Sequence, residues 1–127
     1  MLEIKPIQTK EEQKEICELC GIEFDLDCLA YGAEENNKLL GVSQFRILGE
    51  YAIIYNLINT PGNDDLEALI IMGKATLNFI DLCGVKDVII KTANKNLSDT
   101  LGLKRYADGV YRINLEGYFD SPCGRKA

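Results

Sequence analysis

Between Tyr51 and Gly84 the spacing of apolar positions changes period. Tyr51 to Asn59 is a mostly apolar run of strand length. From Asp64 onward Leu66, Leu69, Ile70, Leu77 and Ile80 recur at helical spacing, and Gly84 supplies a stop. Pro61-Gly62 punctuates the two as a turn. A helix entered this way exposes unpaired N–H groups and partial positive charge at its start, a natural place for a phosphorylated ligand. Here the helix opens with Asn63-Asp64-Asp65-Leu66-Glu67, so carboxylates occupy the spot that an anion would take. The architecture invites a phosphate and the side chains argue against it.

The rest of the chain is read the same way. Leu2-Glu3-Ile4-Lys5 alternates as a short strand does. Thr9-Lys10-Glu11-Glu12 is a capping box, opening a helix with Ile16, Leu19 and Cys20 on one face and Gly21 at its end. Residues 22–29 read as a second helix or a loop. Three strands follow, Tyr31 to Glu35, Leu39 to Leu48 and Tyr51 to Asn59, joined by Asn36-Asn37 and by Gly49-Glu50, the latter suited to a type II′ turn. Val88-Ile89-Ile90 is a buried strand. Leu97 to Leu101 forms a short helix stopped by Gly102, and Asp108-Gly109 signals a type I′ hairpin ahead of Tyr111 to Leu115. From Gly117 onward, through Pro122 and Gly124, the chain is irregular.

The predicted order is β-α-α-β-β-β-α-β-α-β-β. It corresponds to an α/β (α+β) fold with a mixed, largely antiparallel sheet and helices on both faces. At 127 residues the chain has the size of one domain spanning 1–127. The net charge of −6 weighs against a nucleic-acid partner and is compatible with a cationic substrate such as a small amine. No apolar run is long enough to span a bilayer, and Met1 to Lys5 lacks the features of a signal peptide. Five cysteines, an odd number, then point to free thiols in a cytoplasmic protein. The absence of histidine excludes a His-dependent triad or His-ligated metal and leaves Glu, Asp, Tyr, Cys or ordered water to carry protons.

The order of elements resembles the GNAT N-acetyltransferase superfamily, over almost the whole chain. Leu57-Ile58-Asn59-Thr60-Pro61 is similar to that family's Leu-x-Val-x-Pro strand end, and Leu101-Gly102-Leu103-Lys104-Arg105 to its late Leu-Gly-Phe segment. Asn94 or Asn96 falls where an asparagine commonly follows the fifth strand. The resemblance implies an acetyl-CoA cosubstrate, its pyrophosphate on the amides of the long helix and its pantetheine between two splayed strands. The amine would attack the thioester directly. By position the cofactor residues are then Leu57, Asn59, Asp64, Leu66 and Glu67. The departures are pointed: aligned without a gap, the family's Arg/Gln-x-x-Gly-x-Gly/Ala motif falls on Asp64, Glu67 and Leu69. A side chain there blocks close approach of backbone to phosphate, and a carboxylate repels it by about 1 kcal/mol even in water-like dielectric. A second register, through Gly73-Lys74-Ala75, shortens the helix and puts Ile70 in the Arg/Gln place. The family's tyrosine position is Ser98. Acetyl-CoA is therefore implied by the resemblance and opposed by the motif.

Each candidate has a plain structural counterpart. Asp64, Asp65 and Glu67 complement a helix dipole. Cys17-x-x-Cys20 with Cys28 lacks the second pair that a structural zinc needs, so no metal site is expected and core packing explains the thiols. Cys123 is an inert terminal thiol unless the tail brings it to a base. Glu50, Tyr51, Tyr55 and Asn56 lie on or beside the cleft strand, where packing and cross-strand pairing are the ordinary roles. Tyr106, Tyr111 and Tyr118 are alternative phenols that the sequence does not rank. Two functions stand: an acyl-CoA-dependent N-acetyltransferase acting on a small amine with an atypical cofactor site, and a non-catalytic GNAT-like module binding a small ligand or protein partner. Homodimerisation is left open.

Overall fold

The computed structural model describes residues 1–92 and 94–120. Its order is β1 (Glu3–Pro6), α1 (Lys10–Cys20), β2 (Leu29–Glu35), β3 (Lys38–Leu48), β4 (Tyr51–Asn59), α2 (Leu66–Leu82), β5 (Asp87–Lys91), α3 (Lys95–Leu101), β6 (Lys104–Ala107) and β7 (Val110–Asn114). The strands form a seven-stranded sheet in the order β1-β2-β3-β4-β5-β7-β6. Only β4 and β5 are parallel, as the α2 crossover between them requires. All the other pairs are antiparallel.

Turn chemistry explains the meander. Asn36 and Asn37 both take positive φ, which their short polar side chains tolerate, so β2 and β3 are joined by a two-residue loop. At Gly49-Glu50 only the glycine is left-handed, as in a type II′ turn. The Asp108-Gly109 hairpin forms between β6 and β7, but only Gly109 has positive φ, so the turn is not type I′. A register shift between Arg105 and Ala107 accompanies it.

The second helix of the expected order is absent: residues 22–28 are a loop. A turn bond from the Cys28 N–H to the Asp25 carbonyl (3.1 Å) lies within it, and several of its other backbone groups bond to side chains. Glu23 C=O accepts from Gln44, Asp25 N–H donates to Gln44, and Asp25 Oδ1 accepts from the Asp27 N–H. Local side-chain bonds of this kind compete directly with a helical turn.

One face of the sheet carries α2. Ser43 Oγ lies 3.0 Å from Thr76 Oγ1, and Phe45 stacks on Tyr31 (5.6 Å) and meets Phe79 edge-on (5.9 Å). Gln44, between Ser43 and Phe45 in β3, points to the opposite face and bonds to Gln13 of α1. Helices therefore lie on both faces. Cys17 and Cys28 are buried, and Cys17 Sγ lies 3.5 Å from Gln44 Oε1. Among the described residues no three His, Cys, Asp or Glu side chains are grouped for a metal, and no helix is long and apolar enough to cross a membrane. Cys123, Pro122 and Gly124 lie outside the described residues.

Candidate functional site

The parallel pairing of β4 with β5 ends early. Tyr51 to Ile54 pair with Asp87 to Ile90. Lys91 still pairs with Val110 of β7 but has no partner on β4. On its other side, β4 stays paired with β3 as far as Asn59. The two central strands thus part beyond Ile54 and leave a gap beside Tyr55–Asn59.

A β-bulge accompanies the parting. Phe45 faces Ile54 and Gln44 faces Asn56, so Tyr55 is the extra residue of β4. Bulges bend a strand and re-aim its side chains, often beside functional sites. Further along, Thr60 N–H donates to the Leu40 carbonyl at 3.0 Å, one step beyond the Gly41–Asn59 pair. Ladder bonds alternate along an antiparallel pair, so Leu57 and Asn59 turn their backbone N–H and C=O groups away from β3 and into the gap. The Leu57 side chain, 2% exposed, is core.

Beyond the gap lies the start of α2. Asp65 is the N-cap, and its carboxylate accepts from Ala68 N–H at 3.0 Å. Asn59 Oδ1 accepts from Asp65 N–H (3.3 Å), while Asn59 Nδ2 donates to Asp65 C=O (3.2 Å) and to Leu40 C=O (3.2 Å). Of the first four N–H groups of the helix, those of Asp65 and Ala68 are consumed within the chain, and those of Leu66 and Glu67 are left for another acceptor. Asp64 and Glu67 are exposed beside them, so negative charge flanks the remaining donors. The site residues predicted by position therefore gather along one path: Leu57 and Asn59 at the gap, Asp64, Leu66 and Glu67 at its end.

The second register does not fit this geometry. Gly73 lies buried inside α2, where a Cβ would stand 3.0 Å from Leu101 and 3.1 Å from Leu57. Nothing can approach its backbone.

The phenols separate by location. Ser98 is buried and its hydroxyl donates to Asn94 C=O at 3.0 Å. Asn94 is the N-cap of α3, and Asn96 is exposed on that helix. Tyr118 OH donates to Leu101 C=O at 2.8 Å, and burial raises its pKa. Tyr106 packs against Arg112, while Tyr111 pairs with Ile90 inside the sheet. Glu50 and Tyr51 sit at the opposite end of β4 from the gap. Tyr55 is the tyrosine at the parting, with Lys91 Nζ 4.9 Å from its ring centroid. Sequence reading missed Lys91. The signal was its place directly after the buried run of β5, where a charged residue marks the end of a covered strand.

The overall fold is shared with solved structures. A mutant form of a spermidine/spermine N-acetyltransferase from Vibrio cholerae matches with a TM-score of 0.70 and 12% identity, over 100% of each chain. An IAA acetyltransferase from Bacillus cereus matches at 0.69 and 14% identity, over 84% of this chain and 79% of its own. The fold is that of the GNAT acetyltransferases. A GNAT acetyltransferase from Brucella melitensis, solved with acetyl-CoA, matches at 0.68 and 12% identity over 90% of this chain and 88% of its own. No protein-family model matches the chain, and no curated protein matches it by sequence. The likeness is therefore one of GNAT architecture, with a sequence that has diverged from its neighbours.

Proposed function

We propose that this GNAT chain transfers an acyl group from acyl-CoA to a small amine, with a cofactor grip rebuilt around strand backbone. The observation that carries this reading is the early end of the β4–β5 pairing. It leaves the polar backbone groups of Leu57 and Asn59 directed into a gap that an extended pantetheine chain, with its amides, can fill by strand-like bonding. Backbone supplies these bonds, so the loss of the motif side chains does not abolish them. The diphosphate then has the amides of Leu66 and Glu67, flanked by the carboxylates of Asp64 and Glu67. Such a site binds the cofactor weakly.

The thioester supplies an activated acyl carbon. The amine nitrogen attacks it, the C–N bond forms as the C–S bond breaks, and CoA leaves as the thiol or thiolate. The chain contributes position and a desolvated strand edge. With no histidine available, ordered water takes the ammonium proton. The assay is release of free CoA thiol from acetyl-CoA across a set of small amines. Amine-dependent release above the buffer rate supports the reading, and its absence with every amine opposes it.

A non-catalytic module is favoured by one observation, the internal capping of α2 by Asp65 and Asn59. A helix start that satisfies two of its four free donors within the chain has less need of a phosphate. Binding of CoA separates the two readings.

A further inference from the structure

Asn56 has its orientation dictated from behind, by a chain of hydrogen bonds that begins at backbone groups. The Asp25 N–H can only donate, and it reaches Gln44 Oε1 at 3.3 Å. The Glu23 carbonyl can only accept, and it receives Gln44 Nε2 at 2.9 Å. Gln44 is 1% exposed, so flipping its amide would set donor against donor and acceptor against acceptor. Gln13 Nε2 reinforces the same sense, donating to Gln44 Oε1 (2.9 Å) and to Cys28 C=O (3.3 Å). The next bond, Gln44 Nε2 to Asn56 Oδ1, is 2.8 Å. The Asn56 oxygen is thereby held against β3. Its Nδ2 group faces away, with no acceptor among the described residues.

Lys91 lies on the same face. Val88 and Ile90 are core on the α2 side, so Ile89 and Lys91 point the other way, as does Ile53 opposite Ile89. Lys91 reaches over the Tyr55 ring there, and the bulge at Tyr55 lets both Tyr55 and Asn56 face that side. Lys91 takes part in none of the ion pairs formed among the described residues. Two donors, an oriented amide and an ammonium, thus stand at the parting of the strands. Glu23 and Asp25 meet this network through their backbone groups, and neither carboxylate bonds to Asn56 or Lys91.

We propose that this edge of the cleft binds a carboxylate, so that the acceptor is a small amino acid and not a bare polyamine. One carboxylate oxygen accepts from Asn56 Nδ2 and the other from Lys91 Nζ, while the amine end is left free to meet the thioester. The word acceptor rests on the acyltransferase reading; the carboxylate site belongs to the chain without cofactor. The spermidine/spermine enzyme that shares the fold is named for a substrate of the opposite charge, so acceptor chemistry here follows local side chains and not architecture.

The test is an amide and side-chain NMR titration of the full chain without CoA. Glycine, L-alanine and L-glutamate are compared with methylamine, ethylamine and butane-1,4-diamine. At least one amino acid is expected to shift the Asn56 side-chain NH₂ and Lys91 signals saturably, and the three amines are expected to leave them in place. Asn56→Asp keeps the acceptor that Gln44 needs and removes the donor, so it should weaken the amino acid about tenfold or more, as loss of a charge-assisted bond does. Lys91→Met should weaken it similarly. Saturation of these signals by an amine, or no response to any of the three amino acids, overturns the proposal. Thiol release with diamines alone would overturn the carboxylate site and leave the acyltransferase standing. Amino-acid binding without any CoA turnover would do the reverse.

Discussion

Asn59 and Asp65 hold one another through a reciprocal pair of backbone-to-side-chain bonds. The Asp65 N–H donates to Asn59 Oδ1 at 3.3 Å, and Asn59 Nδ2 returns a bond to Asp65 C=O at 3.2 Å. A third bond ties Asn59 to Leu40 C=O in β3. One side chain thus joins the end of the cleft strand, its neighbour in the sheet and the start of α2. The turn between them is set by contacts within the chain and requires no ligand to hold it.

Replacing Asn59 by Ala strips the Asp65 N–H of its partner in a half-buried setting. Loss of stability of about 1–3 kcal/mol is expected, measured by urea unfolding. The Asp65→Ala change removes the cap on Ala68 N–H and should lose about 1 kcal/mol. Equal stability of Asn59→Ala and wild type would mean that the brace is dispensable.

Gly41 marks where β3 runs beside β4 and beneath α2. A Cβ there would stand 2.8 Å from the Ile58 carbonyl oxygen and 3.2 Å from Met72 Cε. Backbone cannot yield as a side-chain end can, so Gly41→Ala should destabilise the chain by about 1–3 kcal/mol. By contrast, Gly21→Ala meets no neighbouring atom and is strained only by its φ of +69°.

The thiols predict both reactivity and an alkaline limit. Burial, with the Asp25 carboxylate nearby, pushes the Cys28 thiol from 9.0 up to about 11. Burial also raises Cys17 and Cys20. Alkylation at pH 8, read by peptide mass mapping, should mark exposed Cys83 well before Cys17 or Cys28. The unfolded chain releases these protons first as pH rises past about 9. Stability from the neutral buried thiols is therefore complete below pH 9 and lost on the way to pH 11. A urea midpoint unchanged between pH 8 and pH 10.5 would contradict this.

Much of the fold was legible because local signals agreed. Thr9 and Gly21 bracket α1, Gly102 stops α3, and the glycine-first turn at Gly49 joins β3 to β4, each by chemistry that needs no distant partner. Sequence reading missed the Asn94 cap, which starts α3 two residues before the expected Leu97. The segment 22–28 was ambiguous for a physical reason. Its state is decided by Gln44 and Gln13, which are distant in sequence and whose polarity looks ordinary there. The same holds at the site. Asp64 and Glu67 announce themselves at a helix start, whereas the role of Asn56 depends on a buried amide across the sheet. Lys91 depends on where the β4–β5 pairing stops.

The account stands most directly on one calorimetric titration of the full chain with acetyl-CoA. Saturable binding with a Kd below about 1 mM is expected, and Asp64→Arg and Glu67→Gly should each tighten it. Relieving roughly 1 kcal/mol of repulsion corresponds to about fivefold per carboxylate. Absence of binding heat at millimolar acetyl-CoA, in the wild type and in both variants, would contradict the account and leave the splayed strands without a cofactor.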